Sequence, residues 1–445
     1  MKNTSALILA NARIVDPVAG TDRGRMLAEV RIESDRIVEV GSRVTRRPED
    51  RVEDLAGAAL APAFFDPHVH LREPGDPHKE TIESGAAAAA AGGFSDVAAM
   101  PNTRPALDEA FRVRGVIARG REVARARVHV IASCTLGLAG ERLTEMAALR
   151  EAGALAFSDD GRPVAEAARM RRALEWARGL GAVVVTHAED ASLKGEGVMS
   201  EGTTATRLGL LGIPEAAETV AVARDLELAA LTGARLHVAH VSTARAVEMI
   251  REAKRRGVAI TAETAPHYLA FTDEDVARLG TSAKMNPPLR TAADRAALVA
   301  AVADGTIDCL ATDHAPHAVD EKMQPFADAP FGVVGLETAL AAAITLLHKG
   351  AGMPLATVIE RLTHGPRRAF GLASHGVFPG APADLTAFDP DAEWTVDPDQ
   401  FRSLGRATPF AGATLTGRVL GTWVEGREVF RAAAPAAVPA LARAR

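Results

Sequence analysis

The chain has 445 residues and a formal net charge of −6, which argues against the basic surface that general nucleic-acid binding needs. Its 47% hydrophobic content can fill one large barrel with an appendage or two to three ordinary domains, and no run of 18 apolar residues provides a membrane span. The opening apolar stretch, Ala6 to Ala10, is too short for a secretory signal, and the only cysteines are Cys134 and Cys309, each inside an apolar segment, so a reduced, cytoplasmic protein is expected.

Taken in chain order, residues 6–60 read as short strands with turn signals, such as 28–32 and 36–40 around Ser34-Asp35. The texture then changes to strands alternating with helical stretches. Candidate strands fall at 64–70, 95–101, 127–133, 154–160, 182–187, 235–240, 258–263 and 307–313. Helical stretches fall between most of them, at 107–125, 163–179, 214–232, 243–256 and 291–304, with two more at 335–348 and 354–363. Eight strands with helical crossovers predict a (β/α)8 TIM-like barrel over 61–374, with a doubly wound open sheet as the alternative. Strand-like texture returns at 383–388 and 418–424, so a small β-sandwich domain is expected from both termini, 1–60 and 375–430, followed by a C-terminal extension at 431–445.

The chemistry concentrates at the ends of these strands. The run Asp66-Pro67-His68-Val69-His70-Leu71-Arg72 follows an apolar stretch, and residues two apart on a strand share a face, so His68 and His70 project together. Two converging imidazoles are half of a metal site. Asp159 and Asp160 end the fourth strand, His187 the fifth, His240 the sixth and Asp313 the eighth. A barrel gathers these carboxyl-terminal ends on the face where active sites of the fold lie. Four imidazoles and two carboxylates exceed one tetrahedral site and suit two divalent ions such as zinc, bridged by a carboxylate and a hydroxide. Spacing alone leaves Asp159 and Asp160 both open as the bridge. His237, three residues before His240, should face away and be structural.

The ordered motifs extend well beyond these ligands: DPHVHLREPG at 66–75, HKETIESG at 78–85, MPNTRP at 100–105, FSDDGRPV at 157–164, THAED at 186–190, HVAHVST at 237–243, ETAPHYL at 263–269, KMNPPLR at 284–290, ATDHAPH at 311–317, PFGVVGLET at 330–338 and TPFAG at 408–412. In these the chain resembles the type I bacterial dihydroorotases of the amidohydrolase superfamily. The resemblance implies reversible cyclisation of N-carbamoyl-L-aspartate to L-dihydroorotate in pyrimidine synthesis. It implies two Zn2+ ions per subunit on His68, His70, Asp160, His187, His240 and Asp313, bridged by Asp160 and a hydroxide, with Asp313 also shuttling protons.

The same resemblance makes Arg72 the fork for the substrate carboxylate, with Asn102 and His317 as further contacts to it. Asn286 and the backbone of Phe331 and Gly332 would meet the ring amide. It suggests a homodimer acting on a small molecule, with association with aspartate transcarbamoylase open. Hydantoinases, dihydropyrimidinases and allantoinases share the histidines, but many such relatives carry a carboxylated lysine where this chain has Asp160. A catalytically silent scaffold for aspartate transcarbamoylase would lack metal-binding histidines, which this chain keeps. The polar segment 318–329, with Pro325, is long enough for a lid.

Overall fold

The computed structural model describes residues 5–18 and 21–433. The 434–445 part of the expected C-terminal extension lies outside the described residues. Eight parallel strands run in the order in which the chain makes them: Phe64–Val69, Phe94–Ala99, Arg127–Ala132, Ala154–Phe157, Val183–Thr186, Arg235–Val238, Ile260–Thr264 and Cys309–Leu310. Nearly every residue in them is buried, as expected of strands covered on one face by helices and on the other by the barrel interior. The open-sheet alternative fails, because the first and last strands approach each other.

Closure needs a device, since the eighth strand is only two residues long and Pro67 has no N–H to offer the ladder. The buried Asp66 carboxylate takes over. It accepts from Thr312 Oγ1 at 2.6 Å, from Thr312 N at 3.2 Å and from His68 N at 3.1 Å. Beyond it, His70 N donates to His314 O at 2.8 Å.

The helices expected from the sequence form at Ala110–Val123, Ala167–Gly179, Glu215–Thr232, Ala244–Arg255 and Ala292–Asp304. Their ends follow local chemistry. Thr243 caps Ala244–Arg255 by accepting from Ala246 N at 3.2 Å, and Thr291 and Asp294 close a capping box on Ala292–Asp304. The 335–348 stretch, expected as one helix, divides into a 3-10 turn, an α-helical segment Ala339–Ala343 and a π-helical segment Ile344–Gly350. Helix His364–Phe370 was not foreseen. It closes the amino-terminal end of the barrel, with Phe370 packed edge-on to Phe65 at 6.0 Å and against His237 at 5.0 Å.

A second sheet is built from both ends of the chain, with strands within residues 7–62 and 385–431; Leu385–Thr395 pairs antiparallel with Ala59–Pro62. A buried ion network fastens it to the barrel floor. Asp96 accepts from Arg127 at 2.9 Å, His129 at 2.9 Å and Arg367 at 2.6 Å, and Arg127 reaches on to Asp384. Against the upward push of burial, Arg367, the His129 hydrogen bond and Arg127 hold the Asp96 carboxyl well below its usual range.

Removing Asp96 would leave Arg367, whose side chain is 6% exposed, as an uncompensated buried charge. Asp96→Ala should therefore lose about 3–5 kcal/mol of unfolding free energy in urea titrations. Arg245→Ala, which breaks an ion pair 59% and 60% exposed, should stay within about 0.5 kcal/mol. Equal effects of the two substitutions would refute the anchoring role of Asp96.

Candidate active site

Every site residue expected from the sequence, His68 excepted, lines one cavity of about 200 Å³ at the carboxyl-terminal end of the barrel. His68 lies beneath it, fully buried. The volume falls below the range usual for drug-sized ligands and suits a smaller molecule. Gly161, Lys194 and Ala315 complete the lining and were not anticipated.

Asp160 is the centre of the cluster. Its Oδ1 lies 3.5 Å from His68 Nε2, 3.6 Å from His187 Nδ1 and 3.7 Å from His240 Nε2, and its Oδ2 lies 3.6 Å from His70 Nε2. Asp313 Oδ1 adds contacts to His70 Nε2 at 3.1 Å and His68 Nε2 at 3.5 Å. Asp159 faces the other way. It accepts from the backbone N–H groups of Cys134 at 2.8 Å and Thr135 at 3.0 Å, so it braces the loop after the third strand. This division is what adjacent residues at a strand end should show.

Three residues that deliver side chains here have left-handed backbones: Arg72 at φ 58°, His240 at φ 33° and Asp313 at φ 46°. Such conformations are uncommon for non-glycine residues and cost of order 1–3 kcal/mol each. They turn the chain abruptly at the barrel rim and help aim the three side chains inward. For the same reason the sixth strand, expected to reach 240, ends at Val238.

The cluster behaves as a metal site by three independent physical criteria. First, His68 Nε2 and Asp160 Oδ1 are buried without a hydrogen-bond partner although they face each other. Second, ligand atoms around a tetrahedral ion with 2.0–2.1 Å bonds stand about 3.3 Å apart, and the contacts above bracket that spacing. Third, burial pushes the His68 imidazole down, yet Asp160, Asp313 and Glu263 outweigh it and raise its pKa to about 10. The surroundings thus demand a positive charge at this point, which a divalent cation would supply. The groups able to hold one are His68–Asp160–His240 and His68–His70–Asp313.

The outer ring nitrogens are also occupied. His68 Nδ1 lies 2.7 Å from Glu263 Oε1, and His70 Nδ1 lies 2.8 Å from Asn102 Oδ1. His187 Nε2 is 3.3 Å from Asn286 Nδ2, whose partner atom Asn286 Oδ1 is buried with no hydrogen bond. Glu263 ends the seventh expected strand and opens the motif at 263–269, but the sequence reading gave it no role because the ring it backs lies far away in the chain. His237 does face away from the cavity, but it sits 3.0 Å from Glu263 Oε2 and so backs the same carboxylate.

Across the cavity, Arg72 donates through Nε to Pro316 O at 3.1 Å, and its Nη2 lies 3.3 Å from His317 Nε2. Burial and the Arg72 charge push the His317 pKa down to about 3, so its ring is neutral at pH 7. His317 Nε2 is 2.8 Å from Phe331 O. Gly332 N donates to Lys284 O at 2.9 Å and Gly332 O accepts from Lys322 Nζ at 2.8 Å, so these backbone groups are engaged within the protein. A side chain at Gly332, where φ is 131°, would put Cβ 2.6 Å from Ala315 O.

The segment expected as a lid is pinned. Lys284 Nζ donates to Phe326 O at 2.6 Å and Ala327 O at 2.9 Å, and Lys322 Nζ donates to Pro330 O at 2.9 Å.

Known proteins resemble this chain along nearly its whole length. A family model described as Dihydro-orotase-like matches residues 57–246. A dihydroorotase from Pelobacter propionicus is 48% identical over 425 residues, covering 96% of this chain and 99% of the relative. One from Anaeromyxobacter dehalogenans is 49% identical over 428 residues, covering 96% and 98%. Among solved structures, L-hydantoinase (dihydropyrimidinase) from Arthrobacter aurescens matches with a TM-score of 0.83 at 26% identity over 96% of each chain. With near-complete coverage at such identity, the chain belongs to the dihydroorotase family.

Proposed function

We propose that this chain catalyses the reversible cyclisation of N-carbamoyl-L-aspartate to L-dihydroorotate, and that it does so with two zinc ions. The observation that carries the reading is the placing of Arg72 and His317 in the same small cavity as the Asp160 cluster. A cyclic amide bearing a carboxylate needs both halves. Hydantoinases act on rings that offer Arg72 no such partner, and an aspartate at 160 needs no carboxylation before it can bind metal.

In this reading His68, His70, Asp160 and Asp313 would hold one ion, and Asp160, His187 and His240 the other. Bound there, the pair would supply Lewis acidity toward the amide carbonyl and make the attacking water acidic near neutral pH.

The chain's own groups do the rest. Asp313 turns Oδ1 to the histidines, which leaves Oδ2 for the substrate. In the hydrolytic direction it takes a proton from the attacking water and delivers it to the departing ring nitrogen. In the cyclising direction it removes that proton from the carbamoyl nitrogen, as microscopic reversibility requires. With Nε bound to Pro316 O and Nη2 beside His317 Nε2, Arg72 presents its guanidinium edge together with His317 to the substrate carboxylate. The neutral His317 and the amide of Asn286 complete the polar contacts. Asn102 has its oxygen engaged by His70 and its amide nitrogen donating to Asp160 Oδ2 at 3.4 Å, so the second hydrogen of that nitrogen is the one left for the carboxylate.

Replacing Arg72 by Met removes the charged fork while keeping similar length. Hydrolysis of L-dihydroorotate should lose roughly 2–4 kcal/mol of transition-state binding, while an uncharged cyclic amide such as hydantoin loses far less. Assays of both substrates in parallel decide this, and equal losses would remove Arg72 from carboxylate recognition.

Asp313→Asn retains a carbonyl oxygen but cannot accept a proton. Turnover should drop by about 10²-fold or more, with zinc content, measured by atomic emission, largely preserved. Near-normal turnover would assign proton transfer to another group.

A further inference from the structure

We propose that Glu263 is the positioning residue of the metal centre, acting through the pair it makes with His68 on one side and His237 on the other. The inference rests on the assignment of His68 as a metal ligand. Glu263 comes from the end of the seventh barrel strand and is 1% exposed, while His68 and His237 are wholly buried. Its Oε1 lies 2.7 Å from His68 Nδ1 and its Oε2 lies 3.0 Å from His237 Nε2. The far nitrogen of His237, Nδ1, is 2.7 Å from Thr261 Oγ1.

An ionised carboxylate can only accept hydrogen bonds, so the protons along this chain are forced. Both histidines must donate to Glu263, through His68 Nδ1–H and His237 Nε2–H. A neutral His237 must then accept at Nδ1, and Thr261 must donate. With a cation bound, His68 keeps its lone pair on Nε2, the nitrogen that faces Asp160 and Asp313. That tautomer is the one a cation requires. A carboxylate behind the ring also makes the ligating nitrogen more basic, and such outer partners typically set metal affinity by about 10–100-fold.

A rival reading makes His237, Glu263 and Cys309 a metal site of their own, since their ligand atoms lie close together. Both Glu263 oxygens are already engaged by histidine donors. The Cys309 thiol donates instead to Ala262 O at 4.0 Å. The group is therefore a support for His68.

The test is zinc affinity, measured by competition with a chromophoric chelator on protein stripped of metal. Glu263→Gln keeps the shape but presents an amide N–H to one of the two histidine donors. It should weaken at least one zinc-binding step by about 10–100-fold, measured on metal-free protein whose fold is checked by circular dichroism. His237→Asn should weaken binding less, because Glu263 still holds His68. Affinity unchanged within about twofold in Glu263→Gln would overturn the proposal, and so would a loss of metal-free stability with zinc binding intact. His68→Ala serves as the control: if it binds zinc as the parent does, the ligand assignment itself fails, independently of Glu263.

Discussion

One buried carboxylate, Asp160, stands within 3.7 Å of ring nitrogens from four histidines. Those histidines come from the ends of three different strands, and Asp160 from a fourth. Such a concentration of lone pairs and negative charge away from water is costly unless something positive joins it. Protein alone can answer only by protonating imidazoles, as the upward shift of His68 indicates. Divalent cations answer more effectively and convert the cost into a reactive centre. The remaining architecture serves to hold this arrangement in place.

The barrel meets that demand with an apolar lower half and a polar rim. Phe65, Ile131, Leu155, Val183 and Phe370 fill the interior below, and this rigid floor allows the rim residues to take strained backbones. Asp66 closes the ring of strands beside His68, so closure and ligand placement share one short sequence. Around the ligands lies a layer of groups with fixed hydrogen-bond polarity: Glu263 behind His68, Asn102 behind His70 and Asn286 beside His187. On the substrate side, two buried lysines tie down the segment that carries Phe331 and Gly332. The cavity is thus shaped by interactions between parts of the chain far apart in sequence.

Much of this was readable from the residues, for identifiable reasons. Parallel strands buried on both faces appear as short apolar runs, so the eight barrel strands could be placed within a few residues. The side chains proposed to bind metal sit at the ends of those runs, and His68 and His70 share a face by simple alternation. Glu263 also ends one of those runs and opens the motif at 263–269, but its role behind His68 was not legible, because that partner is 195 positions away. Lys194 was hidden for the same reason, appearing only once the short helix Ala191–Lys194 brings its ammonium over Phe331. The 318–329 segment looked like a free lid because polar residues and Pro325 indicate a loop, whereas the lysines that pin it are read in sequence as ordinary surface charges. Spacing alone left Asp159 and Asp160 both open; the resemblance named Asp160, and in the structure Asp160 turns to the histidines while Asp159 accepts from the Cys134 and Thr135 amides.

The most direct test of the binuclear account is anomalous diffraction at the zinc edge from crystals of the metal-loaded protein. Two peaks about 3.5–4 Å apart, both in contact with Asp160 and one each beside the His68–His70 and His187–His240 pairs, are the expected result. A metal bound away from Asp160, or held by His237, Glu263 and Cys309 instead, would contradict it.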